Sequence, residues 1–307
     1  MASSLKFSSK SSAVVDRYTA QMKASLNDKY SEYDITYAHA SMCQVYLPYQ
    51  DNDLDLYEVT QGNLTMRVQG ARYIDQETRE VRKRGVPSGT RARLLLYLIN
   101  EQAILNKAPS FKLADSFSDL CRRLHIPASG RSMNELKVQL ERLCTASFSL
   151  EWGNAQQNGI YNFFIVESIV TNGRAKNMNY ADVKRGTKGF HVTLSDKYFA
   201  SVIKSGVPLD KRTITALQNN SMCLDIYNWL THRLYRIPKD KTQFITWKAV
   251  KDQFGHGYKA MDSFKRDFRK NLKNVTIQYR EAKISEIRNK GFELHQSAPP
   301  IGERLLF

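Results

Sequence analysis

Apolar residues recur at helical spacing in several separate stretches of the chain. In 90–106, Leu94, Leu95, Leu98 and Ile99 share one side of a predicted helix. Phe117, Leu120, Cys121 and Leu124 stand at i, i+3, i+4 and i+7, a single buried helical face. The segment 125–130 (HIPASG) breaks that helix. Ser132 and Glu135 then form a capping box for a helix whose core face is Met133, Leu136, Leu140 and Leu143. Further on, Ser221 caps a helix reaching about Arg236, with Cys223, Ile226, Leu230 and Leu234 inward. Thr246 caps 247–254, where Trp247, Val250 and Phe254 face one way and Gly255 ends the element. The span 258–274 carries Met261, Phe264, Phe268 and Leu272 on its core arc.

Between these helices lie short strand-like runs: 44–47, 54–59, 64–68, 148–152, 160–170, 190–194, 244–245, 275–279 continuing toward Ile287, and 292–295. The stretch 79–89 reads as a basic loop, and the polar residues 205–220 read as a junction. Twice, therefore, helices are followed by a β-ribbon with a basic tip, the order of a winged helix. The predicted fold class is α+β: two tandem winged-helix domains behind a flexible N-terminal arm. The arm is 1–30, Ser- and Lys-rich. The first winged-helix domain is 31–207, the second 208–300, and 301–307 is a tail.

Composition sharpens this. A chain of 307 residues fits about two domains. Lys and Arg number 46 against 30 Asp and Glu, a formal charge of +16, and a protein this basic is expected to meet a polyanion, most often nucleic acid. No apolar run approaches the roughly 18 residues of a membrane helix, and the N-terminus lacks the apolar stretch of a secretory signal. The cysteines Cys43, Cys121, Cys144 and Cys223 show no paired spacing, against a disulfide framework and against a zinc finger. A cytoplasmic protein without membrane or cofactor is expected.

Catalytic signatures are missing. The glycine pairs Gly153/Gly159 and Gly186/Gly189 lack the Lys and hydroxyl of a phosphate loop, and no His-x-His, G-x-S-x-G or H-E-x-x-H occurs. A non-enzymatic, metal-free chain is expected. Trp152, Trp229 and Trp247 are read as core anchors, Cys121 and Cys144 as core, and His125 and His256 as turn residues.

The strongest candidate site is the face opposite the apolar arc of 258–274: Lys259, Ser263, Arg266, Lys270 and Lys273, spaced 4, 3, 4, 3, flanked by Lys265 and Arg269. The second helix of a helix-turn-helix enters the major groove, where Arg grips guanine and Lys reaches guanine or phosphate. Between Tyr258 and Lys290 there are ten Lys or Arg and four Asp or Glu. The corresponding helix of the first domain offers Arg131, Asn134, Lys137, Gln139 and Arg142, diluted by Glu135 and Glu141. Arg79, Arg82, Lys83, Arg84, Arg91 and Arg93 are candidates for phosphate contact. The two ribbon tips, 174–188 with Lys184 and Arg185, and 283–290 with Lys283, Arg288 and Lys290, are candidates for backbone or minor-groove contact.

Several separated blocks resemble plasmid replication initiators of the RepA type: 86–96 (VPSGTRARLLL), 116–124, 131–143, 221–230 (SMCLDIYNWL), Ile245-Thr246-Trp247 and Gln253-Phe254-Gly255. The resemblance covers about 80–300. It implies tandem winged helices that bind directly repeated iterons in double-stranded DNA at a plasmid origin. It implies monomers that open the adjacent AT-rich DNA and recruit the host initiator and helicase, with chaperones as further partners. Homodimers, in equilibrium with monomers, would repress the protein's own gene and limit copy number. The first domain would serve backbone contact and dimerisation, the second reading. The tail 304–307 (RLLF) loosely resembles a sliding-clamp peptide without its usual Gln. The alternatives are a two-domain winged-helix repressor on a palindromic operator, a nicking enzyme, and a structural dimerisation protein.

Overall fold

The computed structural model describes residues 34–51, 53–75, 77–153, 156–171 and 189–301. The 1–30 arm, the 174–188 ribbon tip with Lys184 and Arg185, and the tail from 302 lie outside the described residues. The described chain groups into two compact units: residues 36–208 with 252–256, here the N-terminal unit, and 34–35 with 209–251 and 257–301, here the C-terminal unit. Both mix helix and strand, so the chain is α+β. No helix among the described residues is long and apolar enough to cross a membrane.

In the N-terminal unit, β1 (Ile35–His39) leads through a 3-10 turn (Ala40–Cys43) to β2 (Leu56–Gln61), β3 (Leu64–Gln69), β4 (Arg72–Ile74) and β5 (Val81–Lys83). Helix α1 (Gly89–Asn106) follows, with every residue from Ala92 to Glu101 buried, so it forms the centre of the unit. Then come β6 (Ser110–Ala114), α2 (Phe117–Arg123), α3 (Gly130–Thr145), β7 (Ser147–Gly153), β8 (Asn158–Phe164), β9 (Val166–Thr171), β10 (Phe190–Leu194), α4 (Asp196–Ser205) and β11 (Gly206–Asp210), the last pairing with β1. The strands β2-β3-β7-β8 form one antiparallel sheet and β6-β10-β9 another.

The C-terminal unit continues with α5 (Lys211–Leu217), α6 (Ser221–Leu234), β12 (Thr242–Thr246), α7 (Trp247–Phe254), α8 (Met261–Gln278), β13 (Ile284–Ile287) and β14 (Gly291–His295). Its sheet runs β12-β14-β13, antiparallel. Thr246 Oγ1 accepts from the Ala249 N–H at 3.1 Å and so caps α7. Trp247 holds the core. Its ring centroid lies 4.7 Å from Phe292, 5.8 Å from Phe268 and 6.3 Å from Phe264, mostly edge to face. Burying each such ring contributes about 1.5–3 kcal/mol. Gly291 closes the β13–β14 turn at φ 156; a Cβ there would sit 2.0 Å from the Ile245 carbonyl oxygen, so only glycine fits.

Several expected elements differ. Residues 44–47 are not a strand, because the buried Arg93 guanidinium takes the Leu47 and Pro48 carbonyls at 2.7 and 3.3 Å. The 79–89 loop contains β5, paired with β4. The single strand expected at 160–170 is two, in different sheets, because the chain turns at Ile165, whose carbonyl accepts from Ser195 N–H. The 205–220 junction is β11 and α5, and α4 and β6 were not foreseen at all. Ser132 does not start α3: Ser129 is the N-cap, accepting from Ser132 N–H at 3.1 Å, which leaves Ser132 and Glu135 inside the helix. Asn220, not Ser221, caps α6. The strand expected at 275–279 is the last turn of α8, since Val275 continues the buried row of Phe264, Phe268 and Asn271. Trp229 and Trp247 are buried, whereas Trp152 is 45% exposed.

Candidate nucleic-acid interface

Helix α8 begins after Ala260 and ends at Gln278, so Lys259 stands just before its first turn and the rest of the predicted stripe lies on it. Phe264 and Phe268 are fully buried, and this fixes which side of α8 faces out. Arg266, Arg269 and Lys270 are exposed; Ser263, Lys265 and Lys273 are half-buried. Arg266, its side chain 74% exposed, pairs with the neighbouring Asp267 at 3.3 Å. Lys259 and Lys270 have no carboxylate in ion-pair reach among the described residues. Lys265 lies 5.6 Å from the Trp247 ring, a cation–π contact that leaves its ammonium near the surface.

Arg269 behaves differently. Its Nε donates to both Glu286 carboxylate oxygens at 3.0 and 3.2 Å, its Nη2 to one of them at 2.7 Å, and its guanidinium sits 4.9 Å from the Trp247 ring. The Glu286 hydrogen bonds raise its pKa. The hairpin tip beyond Glu286 presents Arg288 and Lys290, both exposed, on either side of Asn289, whose φ is 61. Lys283, at the base of the hairpin, is exposed as well. Lys248, which the sequence reading passed over, is exposed at the start of α7 beside Trp247, and the Trp247 N–H bonds the Lys290 carbonyl at 3.1 Å. Its exposed phase on a short amphipathic helix was the available signal.

The N-terminal candidates are mostly spoken for. Arg131 and Arg91 both donate to Glu135, at 2.9 and 3.2 Å. The Arg131 hydrogen bond, reinforced by Arg91, holds the Glu135 carboxyl below the usual carboxylate range. Arg84 pairs with Glu141 at 3.1 Å and stacks 4.5 Å from the Tyr73 ring, while burial pushes the Glu141 carboxyl up. Arg82 pairs with Asp75, and Lys83 with Asp55, which Arg72 also bridges. Arg142, its side chain 9% exposed, bonds Asp51 at 2.8 Å and the carbonyls of Arg84 and Val86 at 2.6 and 3.3 Å. It is a core strut of the unit, and the expectation that it touches DNA gives way to that role. Gln139 is likewise buried against Ser88, accepting from its N–H at 2.8 Å. Arg93 is buried too. Asn134 is exposed and Lys137 half-buried on α3. No His, Cys, Asp and Glu cluster able to hold a metal occurs among the described residues.

A family model described as "Plasmid encoded RepA protein" matches residues 86–249. The match takes in α1 to β12 and stops before α8. A crystal structure of selenomethionine derivatives of domains 2 and 3 of RctB superimposes with a TM-score of 0.51 at 10% identity, covering 84% of this chain and 97% of that one. A second crystal structure of RctB domains 2–3 gives 0.49 at 9% identity, covering 83% and 95%. The first is a likeness of fold. No curated protein sequence matches the chain.

Proposed function

The chain belongs to the family of plasmid-encoded RepA proteins, plasmid replication initiators, and on that premise we propose that it binds double-stranded DNA sequence-specifically at a plasmid origin with α8 as the main reader. The carrying observation is the contrast in pairing. Arg266, Lys270 and Lys259, with Arg288 and Lys290 at the hairpin tip, are exposed on the C-terminal unit, whereas the N-terminal cations are tied to Glu135, Glu141, Asp51, Asp55 and Asp75. Lys259 and Lys270, which have no carboxylate in reach among the described residues, can replace the counterions of a duplex directly, and Arg266 does so on leaving its sequence neighbour Asp267.

Each unit is read as a winged helix. In the C-terminal unit, α6, α7 and α8 are the three helices and β12, β13 and β14 the three strands, with sheet order β12-β14-β13. In the N-terminal unit, α1, α2 and α3 with the sheet β6-β10-β9 repeat that order, and the β7–β8 hairpin is inserted. On this reading α8 lies in a major groove, with Arg266 and Lys270 at base edges and Lys259 at phosphate. The N-terminal unit contacts backbone and serves dimerisation. The sites are directly repeated iterons. Monomers open the neighbouring AT-rich duplex and hand it to host initiator and helicase, and dimers repress the gene from the cytoplasm of the plasmid's host. Binding energy applied to strained duplex does the work, and the chain hydrolyses nothing.

The test is enrichment of targets from a random duplex pool at near-physiological salt, followed by footprinting. The expected result is a non-palindromic motif of about two helical turns bound by one chain. A palindrome bound only by dimers moves the assignment to a repressor. Binding without any motif, collapsing as salt rises, overturns sequence-specific reading.

A further inference from the structure

We propose that Arg269 is a positioning residue rather than a DNA contact: with Glu286 and Trp247 it ties the β13–β14 hairpin to α8, so that the helix and the hairpin tip meet one duplex as a single element. The proposal rests on the reading of α8 as a DNA-binding helix and names the part that sets its geometry.

Three elements converge at this point. Arg269 comes from α8, Glu286 from β13, and Trp247 from the start of α7. The Arg269–Glu286 contact is a fork: two guanidinium nitrogens meet two carboxylate oxygens at 2.7, 3.0 and 3.2 Å. Such a planar pair fixes an angle as well as a distance, which a single ammonium–carboxylate contact does not. The other face of the guanidinium rests 4.9 Å from the ring of Trp247, which is 3% exposed and anchored among Phe264, Phe268 and Phe292. The clamp is thus referenced to the core of the unit.

The hairpin needs such a tie. Strand β13 is four residues long and, among the described residues, lies at the edge of its sheet, paired with β14. β14 is held on its other side by β12, but β13 and the tip beyond it hang on a single short ladder, so a side-chain tie adds directly to their fixing. Arg288 stands two residues beyond Glu286 and Lys290 four, so whatever fixes Glu286 fixes where those cations point. Glu286 is also a negative charge beside a surface otherwise suited to phosphate, an electrostatic cost in binding DNA that its role in the clamp offsets.

That cost supplies the test. If Arg269 instead swings to phosphate, Glu286 is only a competitor, and Glu286→Gln must bind DNA as well as the parent chain or better. If the clamp positions the hairpin, Glu286→Gln weakens binding although it removes a negative charge. In the full chain, with the duplex selected above, the expected loss is about tenfold, near 1.4 kcal/mol. Protection at the hairpin flank of the hydroxyl-radical footprint disappears while protection under α8 remains. Arg269→Lys, which keeps the charge and loses the fork, does the same, and the double variant is no weaker than either single one. Unchanged or tighter binding by Glu286→Gln overturns the proposal. So does a salt slope that falls by about one on Arg269→Ala while Glu286→Gln binds normally, the mark of a lost phosphate contact. A readout without DNA separates this from failure of the DNA reading itself. Amide exchange across Ile284–Ile287 is faster in Glu286→Gln than in the parent, with the melting transition within a few degrees; equal exchange rates overturn the tie whether or not any duplex is bound.

Discussion

Each unit contains a three-stranded antiparallel sheet beside helices, β6-β10-β9 in one and β12-β14-β13 in the other, and the two treat their arginines in opposite ways. In the N-terminal unit, α3 and the strands before α1 are rich in Arg, yet nearly every guanidinium there meets a carboxylate or a backbone carbonyl. In the C-terminal unit, α8 is just as charged, but Arg266, beside Asp267, and Lys270 stay exposed, while Arg269 is clamped by Glu286. Local density of positive charge is therefore a poor guide to a binding face. What matters is whether the surrounding fold supplies carboxylates within reach, since a paired cation must give up its partner before it can take a phosphate.

The comparison can be broken in three places. The largest effect is expected at Arg142. Arg142→Ala leaves Asp51 and the Arg84 and Val86 carbonyls without their shared donor. It should destabilise the N-terminal unit by about 3 kcal/mol, read by chemical denaturation, because two carbonyls inside the unit lose their charged donor, whereas half-exposed Asp51 turns to water. A stability within experimental error of the parent would show Arg142 to be an exchangeable surface group. Next, Arg266→Ala with Lys270→Ala should weaken specific DNA binding about a hundredfold, near 2.7 kcal/mol, while leaving the melting temperature unchanged. Undiminished affinity in a titration against the selected duplex would remove α8 from the interface. Smallest is the matched change on α3. Arg131→Ala with Lys137→Ala should alter affinity less than about threefold, because Arg131 is already bound to Glu135. A loss as large as that on α8 would make both helices readers and end the contrast.

The sequence carried much of this and missed some of it for identifiable reasons. The faces built on Leu120 and Cys121, on Leu136, Leu140 and Leu143, and on Phe264 and Phe268 are buried as their spacing implies. The α8 stripe was legible for the same reason: once the inward residues are known, the outward ones follow. Strand 275–279 was misread because Val, Thr and Ile favour strands, and only the buried positions of Val275 and Tyr279 on the same side as Phe268 show the helix continuing through them. Asn271 was overlooked as a core residue in favour of Leu272; it is buried because it bonds Asn220 at 3.0 Å and the Cys223 thiol at 3.4 Å. Trp152 has the chemistry of a core residue, yet it lies exposed over Gly159, where a Cβ would meet its ring at 2.3 Å.

By itself the sequence determined the rhythm of the chain: which stretches coil, which faces turn inward, where glycines and prolines interrupt, and that the outward face of 258–274 is basic. These follow from periods of a few residues. Only the tertiary structure decided which of the many cations are free. Arg84 meets Glu141 from 57 positions away, and Arg269 meets Glu286 from 17. Charges act through space, and a side chain's partner is set by where folding brings distant segments together, which no local spacing records.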